Sequence, residues 1–392
     1  MGIKSKIKRA IFAVLKLISY IIPKSKRIWL FGAWGGELYA DNTKYLFEYL
    51  HTINTRCKLV WISKNNSEIE KIREKGFLAY NRRSIKGLWY IARGKVAFCT
   101  EGTKDISYQL NKKTKIIQLW HGMGIKSVGK ESGWYKNGLN ANALKKNHAK
   151  WYWLCASEEA KFKYMNSFDV PKEKFYITGQ PKDDAFVNIK QSGYINELRK
   201  NYPNARIAVY LPTHRNFGKS DEINDIMSIE SFEKLNKRLA SENIVMIFKP
   251  HFHEFKKYKG YETSFSNIIF AIDKEKFGDV YEFLPCCDIM ITDYSGIMFG
   301  YLASGKPIVY FTYDYYEYVS NDAGFCYDFN DITYGPVCKT WDEVVECLST
   351  IKSEDYAELR EKQRARFCPY SDGENCQRVY ETTLKILKIK GA

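Results

Sequence analysis

Two series of short, continuously apolar runs, separated by polar helical stretches, constrain the fold of this chain more than any other feature. The first half carries RIWLFGA from Arg27, CKLVWIS at 57–63, KVAFC at 95–99, KIIQLW at 115–120 and WYWLCA at 151–156. The second half repeats the rhythm with RIAVYL at 206–211, NIVMIFK at 243–249, NIIFA at 267–271, DIMIT at 288–292 and PIVYF at 307–311. A strand with one wet face alternates apolar and polar residues, whereas a strand covered on both faces does not. Runs of this kind with room for a crossover helix between them predict parallel sheets in two α/β halves. The chain has 392 residues, more than twice the ~150-residue prior for one domain. The polar stretch IKQSGYINELRKNYPN ends in the turn-forming Pro203-Asn204, so domains are expected at 26–195 and 196–392, the second closing with a C-terminal helix.

The N-terminus is different in kind. Lys4, Lys6, Lys8, Arg9, Lys16, Lys24, Lys26 and Arg27 all precede the first acidic residue, Glu37. On a helical wheel Ile3, Ile7, Ile11, Val14, Leu15, Ile18, Ile21 and Ile22 share one arc, while Lys6, Arg9 and Lys16 lie opposite. The apolar run from Ala10 to Ile22 falls short of the ~20 residues a span requires. No small-residue cleavage site follows it; Pro23 and further lysines do. Residues 1–25 are therefore expected to form a basic amphipathic helix lying on an anionic membrane surface, or else packed on the protein's own body. The first alternative places the protein on the cytoplasmic face of the cell membrane as a peripheral protein.

Lys and Arg number 61 against 45 Asp and Glu, a net charge of +16, so anionic partners are expected: phosphates, nucleotides, nucleic acid or acidic lipid. The charge and the 29 Tyr, 23 Phe and 9 Trp would also suit a nucleic-acid binder. No RNA-binding signature or glycine-arginine tract accompanies them, and half the excess charge sits in the N-terminal arm, so nucleic acid is not expected as a partner. The ten cysteines are scattered without a CxxC pair, which reads as reduced, buried thiols rather than a zinc site.

In doubly wound domains ligands bind outside the carboxyl ends of the strands, so motifs placed directly after strands carry the functional information. KIIQLW leads into His121-Gly122-Met123-Gly124, where glycines let the backbone turn sharply and the histidine can either accept a hydroxyl proton or simply bond a loop carbonyl. RIAVYL leads into Pro212-Thr213-His214-Arg215, and NIVMIFK ends at Lys249-Pro250-His251. An arginine fork suits phosphate, and a His or Lys can neutralise charge on a leaving phosphate. His251, His253 and Glu254 lack a third well-placed ligand, and no metal is expected. DIMIT leads into Asp293-Tyr294-Ser295-Gly296 and then a helix, an arrangement whose first-turn N–H groups can hold phosphate or whose Asp293 or Ser295 caps the helix. Gly122, Thr213, Lys249, Asp293 and Tyr294 are read with these turns as substrate-binding.

At these residues the sequence resembles the CDP-glycerol glycerophosphotransferase family, which makes teichoic acids and related phosphate-linked capsule polymers. The resemblance is carried in order by DNTKYLFEYL at 41–50, LWHGMGIKSVGK at 119–130, TGQPKDD at 178–184, YLPTHR at 210–215, FKPH at 248–251, DIMITDYSGIMFGYLASGKPIVYF at 288–311 and a closing DG with Arg378. It implies a GT-B architecture, two Rossmann-like domains facing across a cleft, and a metal-independent, monotopic enzyme without a cofactor. The N-terminal domain would take the acceptor and the C-terminal one the nucleotide donor. By position, His121 would be the general base, while His251, Arg215, Ser295 and Gly296 would bind the diphosphate, with His251 also counted as catalytic. The implied donor is a CDP-activated polyol, glycerol first. The implied acceptor is a lipid-linked saccharide or a polyol-phosphate polymer, and the length suits an enzyme that adds one unit. The chain departs from the family pattern at Gly296 and Gly300, where serine and aspartate are common, at Lys182 in place of arginine, and at Ala323 in place of arginine. A GT-B glycosyltransferase using a nucleotide sugar is the competing expectation.

Overall fold

The computed structural model describes residues 21–107, 113–131, 148–215, 225–261, 264–273, 276–321 and 324–389, with backbone alone at 252–253. The expected N-terminal helix lies outside the described residues as far as residue 20; from Ser25 the chain already belongs to the first strand.

The chain divides into two units. The first comprises the described residues within Met1–Gly122, Asn140–Asp184 and Glu374–Ala392. Its strands are β1 (Ser25–Phe31), β2 (Lys58–Ser63), β3 (Ala79–Asn81), β4 (Gly94–Cys99), β5 (Lys115–Gln118), β6 (Tyr152–Cys155) and β7 (Phe175–Ile177). They form a seven-stranded sheet in the order β3-β2-β1-β4-β5-β6-β7. Every pairing is parallel; Trp29, for example, is in register with Leu59 on one side and Val96 on the other. Trp29, Phe31, Trp61, Phe98, Ile117 and Leu154 build its core with Leu46, Phe47 and Leu50 of the helix Asp41–Thr52.

The second unit comprises the described residues within Met123–Leu139 and Ala185–Gly373. Its strands are β8 (Arg206–Leu211), β9 (Ile244–Phe248), β10 (Ile268–Phe270), β11 (Ile289–Thr292), β12 (Ile308–Phe311) and β13 (Val337–Cys338), in the order β10-β9-β8-β11-β12-β13 and again all parallel. Each of the five residues of β9 is buried, as expected for a strand covered by helices on both faces. The core joins Tyr210, Phe248, Ile291 and Phe311 to Phe232, Leu235 and Leu239 of the helix Ile229–Ser241 and to Val344, Val345 and Leu348 of the helix Trp341–Thr350. A capping box, with Thr340 accepting from the Glu343 N–H and Glu343 accepting from the Thr340 N–H, starts that last helix.

All ten apolar runs are strands. The three strands without such a run, β3, β7 and β13, are two or three residues long. β3, β7 and β13 are sheet edges, which proteins keep short to avoid templating other chains.

The unit boundaries correct the expected 195/196 division in two places. The C-terminal helix Asn375–Leu387 packs in the first unit, where Cys376, Val379, Leu384 and Leu387 join the core. Burying one such aliphatic side chain is worth roughly 1.5–3 kcal/mol, so the packing outweighs nearness along the chain. Met123 begins a segment of the second unit: the Cys326 N–H donates to the Ile125 carbonyl at 2.8 Å and the Ser127 N–H to the Gly324 carbonyl at 3.2 Å.

Candidate active site

In the first sheet the direction of strand addition reverses between β1 and β4, the position at which doubly wound sheets take ligands. The turn after β1 runs left-handed through Trp34 (φ 49°), Gly35 (φ 62°) and Gly36 (φ 81°). The Asp105 carboxylate holds it, accepting from the N–H groups of Gly35 at 2.7 Å, Thr100 at 2.7 Å and Glu101 at 2.8 Å. Burial still raises the Asp105 carboxyl to about 6, against the pull of those N–H groups.

The third residue after β5 is His121. Trp120, at φ 55°, turns its indole among Trp153, Tyr164 and Phe168, with centroids 5.7, 5.5 and 5.2 Å away. The His121 ring stacks on Trp120 at 4.5 Å and lies 5.6 Å from the Trp34 ring. Left-handed backbone at two tryptophans beside one histidine is strain of the kind that collects at functional sites. The imidazole is half-buried, its ring is hydrogen-bonded to the Thr100 backbone, and its Nδ1, itself buried, has no hydrogen-bond partner. Burial holds its pKa below the ordinary value; Asp41 raises it, Lys182 lowers it and Glu101 raises it. A neutral ring with an unpartnered nitrogen is equipped to take a proton. Gly122, at φ 108°, has a backbone that residues with a side chain rarely adopt, and a Cβ there would press on the Lys182 ammonium at 3.1 Å. Its carbonyl accepts from the Tyr164 hydroxyl at 2.8 Å.

Four side chains to which the sequence reading assigned no role converge on this loop. The Asn42 amide donates to the Trp120 carbonyl at 3.0 Å, to the Leu119 carbonyl at 3.5 Å and to the Gln180 side chain. The Asn42 amide oxygen accepts from the Lys182 N–H at 3.2 Å. The Lys182 ammonium donates to the His121 carbonyl at 2.6 Å and pairs with Asp41 at 3.3 Å. The signal for them was present in DNTK and GQPK, two polar segments too buried in the structure to be ordinary loops.

In the second sheet the reversal falls between β8 and β11, and the turns after these strands are Pro212–Arg215 and Asp293–Gly296. They are bound to each other. The Thr213 N–H donates to both Asp293 oxygens at 2.9 and 3.0 Å, its hydroxyl donates at 2.5 Å, and the Tyr294 N–H donates at 2.6 Å. Asp293 therefore ties the two turns together within the protein.

Arg215 corrects an expectation. It is not an open fork for diphosphate: the residue is 5% exposed. Its Nε and Nη2 donate to the two Asp314 oxygens at 2.8 and 2.9 Å, and Nη1 donates to Asp293 and the Thr213 carbonyl. The rings of Tyr294, Tyr313 and Tyr318 surround the guanidinium at 5.1–5.5 Å. Burial works against the charge, and Asp293, Tyr313 and Asp314 outweigh it, so the arginine stays charged. A desolvated cation has to be paired, and here the chain supplies both carboxylates. Tyr294 is likewise internal; its hydroxyl donates to Asp314 at 3.2 Å and its ring stacks on Tyr318 at 4.3 Å.

The groups left facing outward are others. Ser295 and Gly296 are half-exposed, and the N–H groups of Ser295, Gly296 and Ile297 donate to no acceptor among the described residues. A Cβ at Gly296 would come within 2.3 Å of the Met123 carbonyl, so the serine common in the family has no room here. After β9, the half-buried Lys249 ammonium donates to the Phe277 carbonyl at 2.5 Å, and burial lowers its pKa to about 8. His251 stacks on His214 at 4.8 Å, and Glu254 lies 3.8 Å from the His214 Nδ1. This brings the PTHR and KPH turns together. No group of three or more His, Cys, Asp or Glu among the described residues is placed to hold a metal.

A family model described as CDP-Glycerol:Poly(glycerophosphate) glycerophosphotransferase matches residues 14–385. The teichoic acid glycerol-phosphate transferase of Staphylococcus aureus (strain NCTC 8325 / PS 47) is 25% identical over 398 residues, covering 98% of this chain and 99% of that protein. The teichoic acid poly(glycerol phosphate) polymerase of Bacillus spizizenii (strain ATCC 23059 / NRRL B-14472 / W23) is 26% identical over 395 residues, covering 95% and 96%. Among solved structures, the wall teichoic acid polymerase TagF superposes with a TM-score of 0.78 at 21% identity, over 96% of this chain and 93% of that one. At that identity the likeness is one of fold.

Proposed function

The chain belongs to the CDP-glycerol:poly(glycerophosphate) glycerophosphotransferase family, and from that premise we propose that it transfers glycerol 3-phosphate from CDP-glycerol to an acceptor hydroxyl in teichoic acid synthesis, releasing CMP. The observation that carries the mechanism is His121: a half-buried imidazole, kept neutral, with its Nδ1 unpartnered at the carboxyl end of β5. The acceptor O–H gives its proton to this nitrogen as its oxygen attacks the glycerol-bearing phosphorus. A new O–P bond forms, the bond from that phosphorus to the bridging oxygen breaks, and CMP departs with the electron pair. Charge developing on CMP is met by His251, Lys249 and the N–H groups of Ser295, Gly296 and Ile297. Thr213, Arg215, Asp293 and Tyr294 support that donor site through the two turns they bind together.

CMP release from CDP-glycerol and CDP-ribitol, measured side by side with a membrane-extracted acceptor, tests this reading. Acceptor-dependent release from CDP-glycerol is expected, and His251→Ala is expected to raise the donor KM. Release from neither donor would return the weight to a nucleotide-sugar transferase.

The same reading takes the acceptor to be lipid-linked and the enzyme to be peripheral on the cytoplasmic face of an anionic membrane. The cationic N-terminal stretch supports it, and so does the helix Ile85–Arg93. Ile85 is 88% exposed and Trp89 50%, one turn apart, beside exposed Arg83 and Lys86, with the Arg93 guanidinium 5.2 Å from the Trp89 ring. The Lys24 ammonium donates to the Ile91 carbonyl of this helix at 3.3 Å. Apolar side chains flanked by cations suit an acidic lipid surface. Combining Ile85→Ser with Trp89→Ala is expected to lower co-sedimentation with phosphatidylglycerol vesicles severalfold, and deletion of residues 1–23 to lower it further. Full binding by both variants would refute this placement.

A further inference from the structure

We propose that Asp41 and Lys182 are positioning residues for the transfer: Lys182 holds the His121 loop by its backbone carbonyl, Asp41 holds Lys182, and the pair sets one charge of each sign beside the imidazole. The proposal rests on the reading of His121 as the base and extends it to residues that touch neither the donor nor the reacting oxygen.

The geometry is that of a clamp. Three consecutive carbonyls of the loop, those of Leu119, Trp120 and His121, accept from just two side chains, Asn42 and Lys182. Those two are joined by the Lys182 N–H to Asn42 bond at 3.2 Å, across 140 residues of sequence. Asp41 stands at φ 66° at the head of the helix Asp41–Thr52, and its carboxylate reaches the Lys182 ammonium at 3.3 Å. Both side chains are less than a tenth exposed. A pair so removed from water is costly to break and keeps its geometry while surface pairs do not. A loop strained at Trp120 needs such a hold to keep its ring in one place.

Among the described residues, titratable groups near His121 lie on several elements. Asp41 lies on the helix Asp41–Thr52, and Lys182 with the buried Asp183 on the short helix Pro181–Phe186. Glu101, paired with Lys104 at 3.0 Å, and Asp105 lie after β4, and the Tyr164 hydroxyl sits on the Gly122 carbonyl. Asp41 and Glu101 favour the charged ring and Lys182 opposes it. Burial raises Asp183 to about 7, with Lys182 lowering it and Asp184 and Asp41 raising it further, so this carboxyl also titrates beside the ring. A pH profile of rate alone would mix the two groups.

The test is therefore a titration of the His121 ring itself, by long-range proton–nitrogen correlation spectra of the full chain labelled at its six histidines, assigned with His121→Gln. Asp41→Asn removes the favouring charge and is expected to move the midpoint down. Lys182→Met removes the opposing one and is expected to move it up, each by roughly 0.5–1 pH unit. The acid limb of kcat/KM should move with the midpoint in each variant. Lys182→Arg keeps the charge and should restore both the wild-type midpoint and most of the rate. The double variant Asp41→Asn/Lys182→Met, neutral at both places, should titrate near the wild type. If Lys182→Met does not fold, Asp41→Asn and Lys182→Arg carry the test. Midpoints that move in the same direction, or not at all, would overturn the pair's role. Retained turnover in His121→Ala would instead overturn the reading of the base, and the ring titration would still report on the pair.

Discussion

His121→Ala is expected to lower acceptor-dependent CMP release by about 10²–10⁴-fold, the range a positioned general base contributes. That loss is worth roughly 3–5.5 kcal/mol of transition-state stabilisation. Donor binding should change little, because every group assigned to the diphosphate sits on the second unit, at the ends of β9 and β11. The comparison to make is single-turnover CMP release against CDP-glycerol affinity by calorimetry, for wild type and variant together. A lost rate with unchanged affinity is the outcome expected of a group that acts on the acceptor. An enzyme that keeps near-full turnover without the imidazole does not use His121 as its base, and the unpartnered Nδ1 would then need another explanation.

The second large effect is one of stability. Arg215→Met should destabilise the second unit by about 3–5 kcal/mol, because it leaves Asp293 and Asp314 facing each other without a cation in a buried site. For a unit of this size that corresponds to a fall in Tm of roughly 6–20 °C. Donor use would fall with it, since Asp293 also ties the Thr213 turn to the Tyr294 turn. Adding Asp314→Asn to Arg215→Met should recover part of the loss by removing one uncompensated charge. Unchanged melting with abolished CDP-glycerol binding would contradict the buried assignment and return Arg215 to direct contact with phosphate.

Arg215 also shows where sequence reading ends. An arginine after a β-strand in PTHR reads naturally as a phosphate fork, and nothing local argues otherwise. Its two partners, Asp293 and Asp314, lie 78 and 99 residues further on. Asp314 belongs to no motif that drew notice. Lys182 is a similar case: it was visible as a departure from the family's arginine, but its hold on the His121 carbonyl depends on a contact across 61 residues. The C-terminal helix follows the second sheet in sequence and still packs in the first unit, because Val379, Leu384 and Leu387 complete that core.

The sequence by itself determined ten of the thirteen described strands, their parallel arrangement in two sheets and the turns that would carry chemistry. Continuous apolar runs and strand-end glycines act over a few residues, so they can be read locally. The tertiary structure alone decided which of the charged groups in those turns remain available. Asp293 and Arg215 are consumed in holding turns together, whereas the His121 Nδ1 and the N–H groups of Ser295, Gly296 and Ile297 are not. Whether a polar group is spent or open depends on its desolvation and on partners brought from far along the chain, and those are properties of the folded packing alone.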